Sequence, residues 1–198
     1  MGQVRTADPT EEPLSLEEAK LHLKLDATDD DELVFGLIAA ARASAEDYTG
    51  RALITQTWQL KIDGDWLEVD EPCGHRIVLP RPPIASVASV QYVDTAGVTQ
   101  TLAANQYQLY KRNTGEWAIE PAYDVTWPEV RDQPDAITVT FVAGTAVTAL
   151  PAAIRAAMLL FIGHLYENRQ TVNVGNIVNV MPMATQFLLD PYRVHPYR

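Results

Sequence analysis

The chain changes its hydrophobic period twice. Before residue 50 the apolar residues recur every three or four positions, which predicts helices at 16–25 and at about 30–49. Between residues 51 and 144 the period becomes two, with many β-branched and aromatic residues, and this predicts six or seven short strands. Helical spacing returns at about 151–168 and briefly at 183–190. The apolar seam of the second helix is formed by Val34, Ile38, Ala41, Ala45 and Tyr48.

Local signals mark where the first two helices begin and end. Ser15 followed by Glu18 has the spacing of a capping box, in which each residue satisfies a backbone N–H of the other. Gly50 follows the second helix, where glycine readily adopts the positive φ that ends a helix. The β-like stretch starts within three residues of it, so Gly50 is the predicted exit from the helices into a sheet.

These elements predict an α+β fold. It consists of a small bundle of about four helices, with a large antiparallel β-rich insertion between the second and third helices. The two helices that flank the insertion are too apolar to be stable alone, so we expect them to pack on each other. The predicted divisions are a flexible lead-in at 1–13, a helical core at 14–50 and 148–190, the β-rich insertion at 51–147 and an extended tail at 191–198.

Charge and composition exclude several classes of protein. The net charge is −11 over 198 residues, and residues 1–50 alone hold 12 acidic and 4 basic side chains, which argues against groove-reading nucleic-acid binding. Residues 151–198 reverse this balance, with 2 acidic and 4 basic side chains. The longest apolar run, at 156–163, is too short to span a membrane, and no signal peptide opens the chain, so we expect a soluble protein. The lone Cys73 excludes an internal disulfide.

Catalytic chemistry is not expected. Cys73 and His75 form half of a zinc site at most, and the acidic run at 29–32 lacks the spacing of a calcium loop. We therefore predict no catalytic residue, metal or cofactor. Two alternatives remain open: a metal-dependent hydrolase built on carboxylates, and a carbohydrate- or peptide-binding β module with an aromatic platform. The platform would be formed by Trp58, Trp66, Trp117 and Trp127.

Two motifs at the borders of the predicted helices suggest a family. Tyr-Thr-Gly-Arg ends the second helix at residues 48–51, and Leu-Leu-Asp-Pro-Tyr-Arg stands at residues 188–193. In this order, and with the helical patterns around them, they resemble the head–tail connector (adaptor) proteins of long-tailed bacteriophages. The resemblance covers about residues 14–62 and 148–193, and leaves the insertion at 63–144 unmatched.

The resemblance implies a structural role in a phage or phage-like particle. Such proteins form a ring, most often of twelve copies, beneath the portal protein at the head–tail junction of the virion, and present a platform to a downstream neck, stopper or tail protein. DNA passes through the ring without specific binding, and the protomers assemble in the bacterial cytoplasm without membrane contact. The acidic composition suits such a channel, because few basic side chains are available to hold phosphates.

Three sets of residues are candidates for contacts in such an assembly. The aromatic and arginine residues of the C-terminal tail are typical of interface anchors, the apolar helices offer surface to neighbouring copies, and a β-like stretch at 171–181 has the pattern of a flexible contact loop. The tail candidates, which the resemblance directs to the portal, are Leu188, Leu189, Pro191, Tyr192, Arg193, Pro196, Tyr197 and Arg198. The inter-subunit candidates are Val34, Phe35, Ile38, Met158, Phe161 and Tyr166. The loop candidates are Val172, Val174, Ile177 and Val180.

Overall fold

The chain folds into two compact units. A computed structural model describes residues 2–65, 76–112, 115–168 and 182–194. The sheet unit comprises Met1–Pro9 and Thr55–Gly144, and the helical unit comprises Thr10–Ile54 and Thr145–Arg198. The predicted α+β fold, with its β-rich insertion between the second and third helices, is confirmed. No helix in the described ranges is long and apolar enough to cross a membrane.

In the described part of the helical unit the chain forms four α-helices, close to the predicted positions. The capping box predicted at the first of them is present, because the Ser15 side chain accepts from the Glu18 N–H and the Glu18 side chain accepts from the Ser15 N–H. Short 3₁₀ turns precede the third helix at Val147–Ala149 and follow the fourth at Asp190–Tyr192. The helices are α1 (Leu16–Leu23), α2 (Asp31–Thr49), α3 (Ala152–Glu167) and α4 (Met183–Leu189).

Helices α2 and α3 supply most of the core of the helical unit. The seam of α2 is buried as its period predicted, and it packs in one cluster with the apolar face of α3. Full burial of one such aliphatic side chain stabilises the fold by about 1.5–3 kcal/mol, so this cluster dominates the stability of the unit. The larger buried side chains of the cluster are Val34, Ile38, Leu53, Ile154, Met158, Phe161, Ile162 and Leu189.

The described residues of the sheet unit form eight strands in two antiparallel sheets. The larger sheet has the order β1-β2-β8-β4-β5, and the smaller has the order β3-β7-β6. Alternate residues of β2 and β8 are buried, so one face of the larger sheet is covered. Trp58 lies opposite Phe141, and Leu60 opposite Val139. The strands are β1 (Gly2–Ala7), β2 (Gln56–Ile62), β3 (Ile77–Leu79), β4 (Ile84–Val93), β5 (Thr99–Leu102), β6 (Tyr107–Lys111), β7 (Trp117–Pro121) and β8 (Ile137–Ala143).

The prediction of a flexible lead-in at residues 1–13 is wrong. Gly2–Ala7 is a strand that pairs antiparallel with β2, and Glu12 binds the guanidinium of Arg42. All six residues of β1 are exposed, so the strand is held mainly by backbone hydrogen bonds to its neighbour. Such a strand needs no alternating apolar pattern, and this is why the period of the sequence gave no sign of it.

Candidate partner-docking surface

The C-terminal end of α2 carries polar groups that contact a distant part of the chain. Gly50 has φ +69°, and its N–H donates to the Glu46 carbonyl oxygen, so the chain turns away from the helix axis there. The Arg51 N–H donates to the same carbonyl at 3.1 Å. The Tyr-Thr-Gly-Arg motif is therefore a helix terminus whose two flanking side chains, Tyr48 and Arg51, remain available for other contacts.

The second motif lies directly on this helix end. The Tyr48 hydroxyl donates to Asp190 Oδ1 at 2.6 Å, Arg51 Nε donates to the Tyr192 carbonyl oxygen at 2.5 Å, and the Val194 N–H donates to the Thr49 carbonyl oxygen at 2.7 Å. The Arg193 guanidinium stacks over the Tyr48 ring, 4.9 Å from its centroid. We call this set the clasp; its members are Tyr48, Thr49, Arg51, Asp190, Tyr192, Arg193 and Val194.

The surroundings of the clasp shift the pKa values of two of its side chains. The hydrogen bond to Asp190, burial and the charge of Asp190 raise the pKa of Tyr48 above its ordinary value of 10.0, so its hydroxyl keeps the proton it donates. Burial lowers the pKa of Arg51 below its ordinary value. An arginine remains charged at neutral pH even so, and its cation improves the hydrogen bond to the Tyr192 carbonyl.

A buried ion-pair network lies on α2 one to two turns before the clasp. Arg42 donates to both carboxylate oxygens of Glu12, at 2.8 and 3.2 Å, and to Glu46 Oε2 at 3.1 Å. Glu46 Oε1 accepts from the Leu53 N–H at 2.9 Å. Burial lowers the pKa of Arg42, but the two carboxylates outweigh it, so the net change is upward. The network joins the segment before α1, helix α2 and the chain after Gly50.

The tail candidates divide into anchored and exposed residues. Leu189 is fully buried, and Leu188 and Tyr192 pack against the core of their own chain, so these three serve the fold of the protomer. Pro191 and Arg193 are exposed. The remaining candidates, Pro196, Tyr197 and Arg198, lie outside the described residues.

Four of the six inter-subunit candidates are unsuited to that role. Their side chains pack in the core of their own chain and leave no apolar surface for a neighbouring copy; they are Val34, Ile38, Met158 and Phe161. The apolar period identified them because core and interface positions share one spacing on a helix. Phe35 is 59% exposed, and Tyr166 is half-buried with its hydroxyl donating to Asp30 Oδ2 at 2.5 Å.

Helix α4 exposes two large apolar side chains that the sequence analysis did not single out. Met183 is 77% and Phe187 79% exposed, and their spacing of four residues places them on one face of the helix. The sequence predicted the helix but could not tell which face would be covered. The loop candidates Val172, Val174, Ile177 and Val180 lie outside the described residues.

The described tryptophans lie in different parts of the sheet unit. Trp58 is buried in the larger sheet, with the guanidinium of Arg81 5.3 Å and that of Arg5 5.9 Å from its ring centroid. Trp117 belongs to the smaller sheet. Trp127 lines a small apolar cavity in the sheet unit. Of these rings, that of Trp58 is occupied by contacts within the sheet unit. Trp66 lies outside the described residues.

The acidic run before α2 is occupied by contacts within the chain. Asp31 pairs with Lys20, and Asp30 accepts from Tyr166. Across the part of the chain that the structure describes, no group of three or more His, Cys, Asp or Glu side chains is arranged to hold a metal ion. Cys73 and His75 lie outside that part.

Comparison with known proteins supports the family resemblance. Residues 13–73 match the sequence model of the phage gp6-like head-tail connector proteins, which confirms the resemblance for that region. No curated protein sequence matches the chain.

Solved structures share the fold over the whole chain. One similar chain comes from the neck of an empty gene transfer agent (GTA) particle computed with C6 symmetry, with a TM-score of 0.78 and 24% identity over 100% of this chain and 98% of that chain. Chains from the virion of a native GTA particle and from the neck of a native GTA particle computed with C12 symmetry each give a TM-score of 0.75, with the same identity and coverage. At this identity the likeness shows a shared fold.

Proposed function

We propose that this chain is a structural adaptor of a tailed phage or phage-like particle, which joins the DNA-filled head to the neck or tail. The observation that carries the proposal is the shared fold with a protein of a particle neck, since it covers 100% of this chain and 98% of the other. The match of residues 13–73 to head-tail connector proteins supports the same role from the sequence. The role is structural, and we assign no catalytic step to it.

In this role the chain forms a ring beneath the portal protein. Similar chains come from necks computed with C6 and C12 symmetry, which supports a ring of twelve copies here. In a ring, each copy shows one surface to the neighbour on one side and a different surface to the neighbour on the other. The helical unit has exposed apolar side chains on several helices, among them Leu21 on α1, Phe35 on α2 and Phe187 on α4, which suits such an arrangement.

The charge of the chain suits a channel for DNA. At a net charge of −11, a ring of copies repels the phosphate backbone, so DNA passes without being held. After residue 150 the basic side chains outnumber the acidic ones, 4 to 2. We therefore assign the channel to the acidic body, and contacts with partner proteins to the C-terminal region.

The C-terminal tail is the proposed portal anchor. Pro-Tyr-Arg occurs twice, at residues 191–193 and 196–198, and the first copy is engaged in the clasp. The second copy offers a tyrosine and an arginine, which are frequent interface anchors, and a proline that lowers the entropy lost on docking. The opposite side of the ring would receive the downstream neck, stopper or tail protein. The protein thus acts at the head–tail junction of the virion, after assembly in the host cytoplasm.

Co-assembly with the portal protein tests this function. The full chain and the portal protein of the same particle are mixed, and the products are examined by mass photometry and electron microscopy. We expect rings of this chain on one end of the portal, and a chain truncated after Val194 is expected to bind the portal more weakly. Particles that lack this chain yet carry normally attached tails would refute the proposal.

A further inference from the structure

The clasp holds a short segment at three successive points. Between Asp190 and Val194 the chain is bound through one side chain, one backbone carbonyl and one backbone N–H. The three bonds differ in kind and in position along the segment. Together they fix both the place and the direction in which the chain runs past the end of α2, which one contact alone could not do.

Helix α4 has an anchor of its own in the core of the helical unit. Leu189, the last residue of α4, is fully buried in the core cluster, so the helix is anchored before the clasp begins. Asp190 and Arg193 are exposed. Hydrogen bonds and ion pairs at such positions contribute little to stability, because water competes for both partners and salt screens the charges.

The contacts of Asp190 and Arg193 therefore set a geometry more than they add stability. Immediately after Val194 the chain continues with residues 195–198, which include the second Pro-Tyr-Arg copy. A segment whose starting point and direction are fixed loses less entropy when it binds a partner than one that begins at a free end. The cation–π contact of Arg193 with Tyr48 also helps to fix the starting point of this segment, because it holds the residue before Val194 against α2.

We propose that Tyr48 and Arg51 are positioning residues that fix the exit of the chain after Val194 and so present residues 195–198 to a partner protein. The inference rests on the proposed function for the presence of that partner. The inference goes beyond that function because it assigns to the Tyr-Thr-Gly-Arg motif a second task, in addition to ending α2. The two motifs of the sequence then act together, because their side chains and backbone groups form the clasp.

A distance measurement without any partner tests the positioning directly. Spin labels are placed at Ala40→Cys, on the exposed face of α2, and at His195→Cys, in a full-length Cys73→Ser background. The unmodified clasp should give one narrow distance distribution by double electron–electron resonance, and Tyr48→Phe with Arg51→Gln should broaden it. Tyr48→Phe alone serves if the double variant does not fold. An unchanged distribution in a folded clasp variant would overturn the inference.

The matched control makes the same chemical change elsewhere. Tyr110 donates to Glu120 Oε1 at 2.5 Å in the sheet unit, so Tyr110→Phe also removes a tyrosine–carboxylate hydrogen bond. This variant should leave the distance distribution narrow. Tyr48→Phe alone should melt within about 2 °C of the unmodified protein, because its hydrogen bond to the exposed Asp190 contributes little to stability. A large loss of stability would mean that the clasp serves the fold instead.

Portal binding separates failure of this inference from failure of the proposed function. Truncation after Val194 and the Tyr48→Phe, Arg51→Gln double variant should each weaken binding to immobilised portal protein about tenfold, while Tyr110→Phe binds normally. If only the truncation weakens binding, the inference is wrong and the tail retains its proposed role. If the truncated chain binds normally, the tail role is wrong, and the inference falls with it.

Discussion

At the scale of single residues, burial decides which charged groups matter. Arg42 is 7% and Glu46 4% exposed, and each satisfies the other. Lys61 and Asp135 form a similar ion pair on the surface of the sheet unit, with side chains 38% and 55% exposed. Charges removed from water depend on their partners, whereas exposed ones are solvated in either state.

We predict that Arg42→Ala lowers the free energy of unfolding by about 3 kcal/mol, because it removes the buried ion pairs that Arg42 makes with Glu12 and Glu46. Lys61→Ala should lower it by less than about 1 kcal/mol. Urea denaturation of the two variants measures both values. Equal losses would show that the Arg42 network is no more protected from solvent than a surface pair.

A pH titration tests the tyrosine in the smaller sheet. Burial and the hydrogen bond to Glu120 raise the pKa of Tyr110 from 10.0 to about 12. A raised pKa means that the folded state holds the proton more tightly than the unfolded state does. The stability that Tyr110 contributes is therefore complete below pH 10.0 and is lost as the pH rises towards about 12.

The ultraviolet absorbance of phenolate follows this ionisation. The difference between the titration curves of the unmodified protein and of Tyr110→Phe should show a group that ionises near pH 12. A difference curve centred at the ordinary tyrosine value would contradict the hydrogen bond to Glu120.

At the scale of elements, helix α2 shows what two glycines do in different places. Gly36 lies on the exposed face of the helix, and a Cβ added there would meet nothing within 4 Å. Gly50 ends the helix at φ +69°, and its Cβ would meet only ordinary contacts at 3.6 Å. The difference between the two sites is therefore one of backbone conformation and not of space.

Opposite effects are predicted for alanine at these two positions. Gly36→Ala should raise the free energy of unfolding by about 0.5–1 kcal/mol, since alanine loses less conformational entropy in a helix. Gly50→Ala should lower it by about 1 kcal/mol, because a Cβ disfavours positive φ. Thermal melts of both variants decide this; changes of the same sign would be inconsistent with the helix end seen here.

At the scale of the whole molecule, apolar residues on one helix serve two purposes. Ile38 lies in the core of its own protomer, and Phe35, three residues earlier, is largely exposed. An aromatic residue that the described part of the protomer leaves exposed is suited to contact another chain. This distinction bears on the proposed ring, because a ring needs apolar surface that the protomer has not already buried.

We expect Phe35→Ser to impair ring assembly with the portal and to change the free energy of unfolding by less than about 0.5 kcal/mol. The control Ile38→Ala should lose about 2–5 kcal/mol of stability through the cavity it leaves. Mass photometry reports assembly, and urea denaturation reports stability. If Phe35→Ser forms normal rings, Phe35 is not part of the interface between copies.

The sequence by itself determined the types and order of most elements, because the period of apolar residues and the residues at helix ends are local properties. Ser15 and Gly50 specified their caps, and the alternation in 53–63 and 136–144 specified β2 and β8. Strand β1 carries no such pattern and was missed, since backbone pairing to β2 holds it.

Only the tertiary structure decided which apolar surfaces are covered and which motifs meet. The period of α2 placed Val34, Phe35 and Ile38 among the contact candidates alike, and packing against α3 then buried two of them. Tyr48 and Asp190 are 142 positions apart, and nothing local to either predicts their hydrogen bond. Burial and long-range polar contacts depend on how distant segments fold together, so they are fixed only when the whole helical unit forms.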